Sequence, residues 1–341
     1  MAAVSITSVQ HFAHVGNNVG LLGDEYHKKR SLAPLVSSMI GVRCERMEQA
    51  HLVLGARLPS YKPEHLLKDL QERHALVRTW GIRGFLQLVP TPEFEIFLGA
   101  ATAAPRWKRF LEGKTKLSPQ ARLRLLKRLC PEVISRDALR DAFPDSSMRL
   151  FILREAAQGG HIIWKEGDGA SARFSWTEKT LDRKVEPERD YHPLVRRFLA
   201  AYGPVTAGDV GSWLGVTVAA ARQLMAKHRV IEIQVDGDEA PSFMCAEDLE
   251  LLQARRKKAG KGFVVIPPKD PFMLAYKLRW RENPDDEPGL IFEDGRLVGR
   301  WYMQRNEVTL KMIEPEFEKK ASKSIESLLS RAGIEASFAT S

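Results

Sequence analysis

Residues 74–90 read "HALVRTWGIRGFLQLVP". On both sides of "GIRG" (81–84), apolar and polar residues alternate, the period-two signature of a half-buried strand. Two glycines in so short a connector permit a tight reversal. The pattern predicts a β-hairpin turning near Gly81–Gly84. The segments before it have a different period. "SLAPLVSSMI" (31–40), "EQAHLVLGARL" (48–58) and "KPEHLLKDLQER" (62–73) carry apolar residues at helical spacing, and Pro63 suits a first turn.

Helices closed by a hairpin form the winged-helix plan, a relative of the helix-turn-helix. The plan recurs. "PEFEIFLGAA" (92–101), "APRWKRFLE" (104–112), "SPQARLRLLKRLC" (118–130), "SRDALRDAF" (135–143) and "SSMRLFILREAAQGG" (146–160) read as helices, with Ser118 and Ser135 as N-caps. "HIIWKEG" (161–167) and "ARFSWTE" (172–178) follow as a hairpin around "DGAS". A third copy has helices at 192–203, 206–215 and 217–228, N-caps Thr206 and Thr217, and a hairpin over 229–249 turning at "DGDEAP" (236–241). "LQARRKKAGKG" (252–262) reads as a basic linker. Beyond it, 263–268, 289–295, 296–305 and 307–314 read as strands, "NPDDEPG" (283–289) as a polar loop and 316–333 as an amphipathic helix. "IFEDGRLVGRW" (291–301) carries an Asp-Gly hairpin signal. The expectation is an α+β chain of tandem winged-helix units at 1–91, 92–187 and 188–258, with a β-rich C-terminal domain at 259–341.

Several classes are excluded. No apolar run approaches the roughly 18 residues of a membrane helix. The N-terminus lacks a basic region followed by an apolar core, so a cytoplasmic protein is expected. Cys44, Cys130 and Cys245 form no CxxC pair, and the histidines form no HExxH, so neither a disulfide framework nor a metal is expected. Glu48 and His51 share a helix face, a spacing that serves packing as well as ligation. P-loop, GxGxxG and GxSxG motifs are absent, and no cofactor is expected.

The net charge of +9 favours a polyanionic partner. Arg122, Arg124, Lys127 and Arg128 fall on one helix. The residues expected to contact DNA are Arg78, Trp80, Arg83, Lys269, Arg296, Arg300 and Arg305, all on or beside hairpins and strands of the first unit and the C-terminal domain. The tryptophans there, Trp80 and Trp301 with Trp164 and Trp176 of the second hairpin, serve either the core or base stacking.

Residues 74–98 resemble the "LVRTWPMRGTLHLVP" signature of the AlkZ/YcaQ-type winged-helix DNA glycosylases. "GVRCERMEQAHLVLGARLP" (41–59) resembles the lead into that family's catalytic helix. "YGPVTAGDVGSWLGVT" (202–217), and "VVIPPKDPFMLAYKLR" (264–279) followed by "DGRLVGRW" (294–301), resemble further blocks in the same order. The resemblance covers residues 30–310. It implies three winged helices and a β-domain around a basic concave channel. It also implies hydrolysis of the N-glycosidic bond of alkylated purines, interstrand crosslinks included, by a monomer acting on damaged double-stranded DNA without metal or cofactor.

The family's Gln-x-Gln or Gln-x-Asp motif falls on Arg43 and Glu45, counting back from Arg57. Phe85 and Gln87 stand for the signature Thr and His. The expected catalytic residues are therefore Glu45, Arg43 and Gln87. Glu45 keeps a carboxylate for general-base and electrostatic work. Arg43 holds a phosphate or orients Glu45, and Gln87 positions water. No lysine occupies the nucleophile position, which implies a monofunctional enzyme. The other reading makes Arg43 and Glu45 a surface ion pair, on a scaffold that binds DNA for damage recognition or transcription regulation without chemistry.

Overall fold

Leu76–Trp80 and Leu86–Pro90 pair antiparallel, with Thr79 opposite Gln87. The connector is a 3₁₀ turn, Ile82–Gly84, in which Arg83 has φ +59° and Gly84 φ +74°. A short strand, Val42–Arg43, adds to the outer edge and sets Arg43 opposite Gln87. Thr79, Gln87 and Arg43 thus form one rung across three strands. This sheet belongs to a computed structural model that describes residues 4–22, 26, 31–103, 107–237, 240–256, 262–276, 279–280 and 286–339.

Two further three-stranded sheets repeat the hairpin. Ile162–Glu166 pairs with Arg173–Trp176, which pairs on its other side with Val133–Ser135. The helix expected over 135–143 is therefore not formed. Val133 and Ile134 extend as an edge strand that runs through Ser135, so Arg136 rather than Ser135 precedes the 3₁₀ turn Asp137–Leu139, and Ser135 Oγ accepts from Ala138 N. In the third sheet, Val230–Val235 pairs antiparallel with Ser242–Cys245 and parallel with Val4–Ile6. The N-terminal strand thus completes the third sheet rather than the first. Ser118, Thr206 and Thr217 each accept a helix N–H with the side-chain oxygen, as N-caps do. The segment 62–73 begins as a helix, Pro63–Leu67, and continues as a π-helical turn, Lys68–Glu72.

The C-terminal strands form one sheet in the order Phe263–Ile266, Gly289–Glu293, Arg296–Gln304, Glu307–Met312, Ser337–Phe338. Asp294 (φ +48°) and Gly295 (φ +79°) make its Asp-Gly turn, both left-handed as a type I′ turn requires. The helix Glu318–Ala332 covers this sheet and reaches the helix Met47–Gly55. Ile325, Leu328, Trp301 and Leu52 are all buried in that junction. Each such side chain stabilises by about 1.5–3 kcal/mol. The start of the 104–112 helix (104–106), the turn tip 238–239, linker residues 257–261 and loop residues 283–285 lie outside the described residues. Among the described residues, no helix is long and apolar enough to cross a membrane.

Candidate active site

The site begins with a strand that alternates. Val42 and Cys44 are fully buried, which turns Arg43 and Glu45 to the other face. Burial pushes the Cys44 thiol up to about 12, with Arg78 opposing. The backbone here is tightly held. Cys44 N donates to Leu86 O at 2.7 Å, and Gln49 Oε1 accepts from Glu45 N at 3.0 Å. Arg78 donates from Nε to Cys44 O and from Nη2 to Glu45 O, each at 2.8 Å. Its Nη1 lies 2.7 Å from Asp168 Oδ1, and Asp168 Oδ2 accepts from Met47 N. Arg78 is 1% exposed, so the expected phosphate contact is wrong. Its guanidinium is spent on carrying the Arg-Cys-Glu backbone. Trp80, at 5% exposed, is no base-stacking platform either: it stacks on Phe174 at 4.9 Å and joins the first sheet to the second.

On the outward face, Arg43 Nη2 donates to Glu45 Oε2 at 2.9 Å. Its Nη1 donates to Glu287 Oε1 at 2.8 Å. The guanidinium lies over the Phe85 ring, 3.9 Å from its centroid. One cation therefore meets two carboxylates. Exposure falls unevenly: 12% for the Arg43 side chain, 26% for Glu287 and 36% for Glu45. Gln87 Oε1 accepts from Ile82 N at 3.0 Å. A Cβ on Gly81 would lie 2.1 Å from that oxygen, so a side chain there would displace the Gln87 amide. With its carbonyl committed to the turn, Gln87 offers its Nε2 as a donor.

Two depressions flank the cluster. Arg43, Arg83, Phe85, Gln87, Trp213 and Glu287 line a cleft of about 450 Å³ where the first sheet, the third helical group and the C-terminal segment meet. Glu45 instead lines a notch of about 260 Å³ against the second unit.

Of the basic residues expected at DNA, Arg83 is the one that lines the cleft with Arg43, packed against Gly215 and within 5.1 Å of the Phe85 ring centroid. Lys269 reaches Glu287 at 3.9 Å. Arg296 is exposed and paired with Glu314, Arg305 is exposed in a turn at φ +47°, and Arg300 is half-buried on the same long strand as Arg296. These three do not line the cleft. Arg122 turns inward to Glu155 at 2.6 Å, while Arg124, Lys127 and Arg128 stay exposed. His51 contacts the Tyr61 hydroxyl at 2.7 Å, a packing role, and burial lowers its pKa. Glu287 and Asp168 are not among the residues expected from sequence. Both sit in turns and loops, and no local pattern marks them.

Two acids around one arginine sit beside a cleft in a strongly basic chain. The chain belongs to the AlkZ-like DNA glycosylase family, whose model matches residues 36–337. It is thereby a DNA glycosylase by family, with DNA as the substrate. Among solved structures it is similar to the Streptomyces sahachiroi DNA glycosylase AlkZ, with a TM-score of 0.74 and 20% identity over 98% of this chain and 100% of that one. At that identity the likeness speaks for the fold. Comparison with curated proteins gives no significant match.

Proposed function

We propose that this chain hydrolyses the N-glycosidic bond of alkylated purines in double-stranded DNA, with Glu45 as general base and electrostatic stabiliser. The reading rests on one observation: Arg43 is held between Glu45 and Glu287. A cation beside a cationic lesion would oppose the reaction. Two carboxylates, Glu45 and Glu287, share the Arg43 charge, so it does not face the lesion as a bare cation. An N7- or N3-alkylated purine is already a good leaving group and departs with the bonding electron pair. Positive charge then develops on the sugar, where a fixed carboxylate lowers the barrier. Water attacks C1′, and Glu45 takes its proton. Arg43 fixes one oxygen of Glu45, and the Gln87 amide orients the water. A crosslinked purine carries the same cationic leaving group and falls within the same chemistry.

In this reading the three helix–hairpin groups serve as winged helices, supported by the antiparallel hairpin that closes each one. The test is release of free N7-methylguanine from a methylated duplex, read by chromatography. The wild-type protein releases it, and Glu45→Gln binds the duplex without releasing it. Steeply salt-dependent binding with no release from any alkylated or crosslinked duplex would instead establish a DNA-binding protein without chemistry.

A further inference from the structure

We propose that Arg154, assisted by Arg136, forms a seat for one DNA backbone phosphodiester in the notch that Glu45 lines. The proposal rests on the reading of DNA as the ligand and adds a grip that the catalytic cluster does not supply.

The two arginines share the notch with Glu45, Trp80, Gly84 and Phe174. Arg154 lies on the helix Ser146–Gln158 and is half-buried. Three other arginines are engaged. Arg149 donates to Phe143 O and Pro144 O, Arg122 pairs with Glu155, and Arg78 pairs with Asp168. Arg154 bonds no carboxylate among the described residues, and its buried Nε has no hydrogen-bond partner. Its guanidinium lies 5.2 Å from the Phe151 ring centroid, a contact that orients the fork without neutralising it. Arg136 makes only a long, 3.5 Å donation to Ser146 O. The notch's acid, Glu45, is already committed through Oε2 to Arg43.

A desolvated guanidinium without a counterion is costly, and the anion that relieves it must come from outside. Burial lowers the Arg154 pKa, with the Glu45 charge opposing. The rest of the notch is kept open by small residues. Gly84 sits at φ +74°, and a Cβ there would lie 3.1 Å from Arg154 Nη1. Gly169, Ala170 and Ala172 form another wall. A planar fork of N–H donors in an open notch matches a tetrahedral phosphate and discriminates against a neutral base. A nucleotide whose phosphate is seated there brings its sugar towards the Glu45 carboxylate, which lines the same notch.

The test is fluorescence anisotropy across a salt series, on a duplex carrying a tetrahydrofuran abasic analogue. Arg154→Gln should weaken binding roughly tenfold and lower the slope of log K against log salt by about one. Arg136→Gln, at a half-buried loop position, should lose about threefold and keeps the test decisive if Arg154→Gln does not fold. Arg140→Gln, exposed and paired with Asp137, serves as the control and should bind as wild type. Neutralising single phosphates as methylphosphonates should reveal one position that costs the wild type about tenfold and adds nothing to either variant's loss. Folded variants with wild-type affinity and slope would overturn the seat. The chemistry is read separately by base release. A wild type that binds but releases no base, with the slope loss intact, keeps the seat and removes the glycosylase mechanism. An active wild type with an indifferent Arg154 does the reverse.

Discussion

Two arginine–carboxylate contacts join the same two stretches of chain and serve different ends. Arg57 and Asp270 are both fully buried and meet in a fork, Nη1 to Oδ2 at 2.7 Å and Nη2 to Oδ1 at 2.8 Å. Two more donors are used as well: Nε on Val19 O and Nη1 again on Val53 O. Asp270 Oδ1 also accepts from Phe272 N and caps the turn Pro271–Leu274. Fourteen residues before Arg57, Arg43 reaches the C-terminal segment too, through Glu287. That pair is not closed. A second acid shares the arginine, and its Nε has no partner. Dense pairing with no exposure marks a fastening. A shared arginine with partial exposure leaves the Glu45 carboxylate within reach of solvent.

Breaking the fastening should have the largest effect. Asp270→Ala leaves a buried guanidinium uncompensated and should cost about 3–5 kcal/mol, a drop on the order of 10 °C in melting temperature. A variant melting with the wild type would erase the contrast. Glu45→Gln should behave oppositely. Its ion pair is half-exposed, so stability should change by less than about 1 kcal/mol. Base release should nonetheless fall by about 10²–10⁴. Glu287→Gln is a smaller perturbation. It removes one of the two carboxylates on Arg43 and should slow release roughly tenfold, while duplex affinity rises slightly as a negative charge leaves the polyanion's path. An unchanged rate would mean that Glu287 does not govern Arg43. The smallest effect is an absence of reaction. With its pKa raised to about 12, Cys44 stays protonated at pH 8 and should resist alkylation in the folded protein, as read by mass spectrometry. Rapid labelling would mean that the strand presents Cys44 outward and Arg43 and Glu45 inward.

What was legible in the sequence was local. The alternation around 81–84 and the Asp-Gly turn at 294–295 encode backbone geometry within a few residues, and both hairpins form as expected. The 135–143 segment misled because its apolar spacing suits a helix while Val133 and Ile134, just upstream, draw the chain into a sheet edge. Arg78 misled for another reason. Position on a hairpin does not reveal which face is covered, and its burial depends on Asp168 from the second unit. Glu287 was invisible because its partner lies 244 residues away, and no spacing rule reaches that far. Arg43 read in isolation is a cation in the wrong place. With Glu287 in view, it is the piece that holds Glu45.

The most direct measurement is single-turnover release of N7-methylguanine from a defined duplex by wild type, Glu45→Asp and Glu45→Gln, with binding to the same duplex measured in parallel. The wild type should release the base, Glu45→Asp should retain part of the rate, and Glu45→Gln should lose at least about 10² with affinity within a few-fold. Equal rates for wild type and Glu45→Gln would contradict the assignment of the chemistry to this carboxylate.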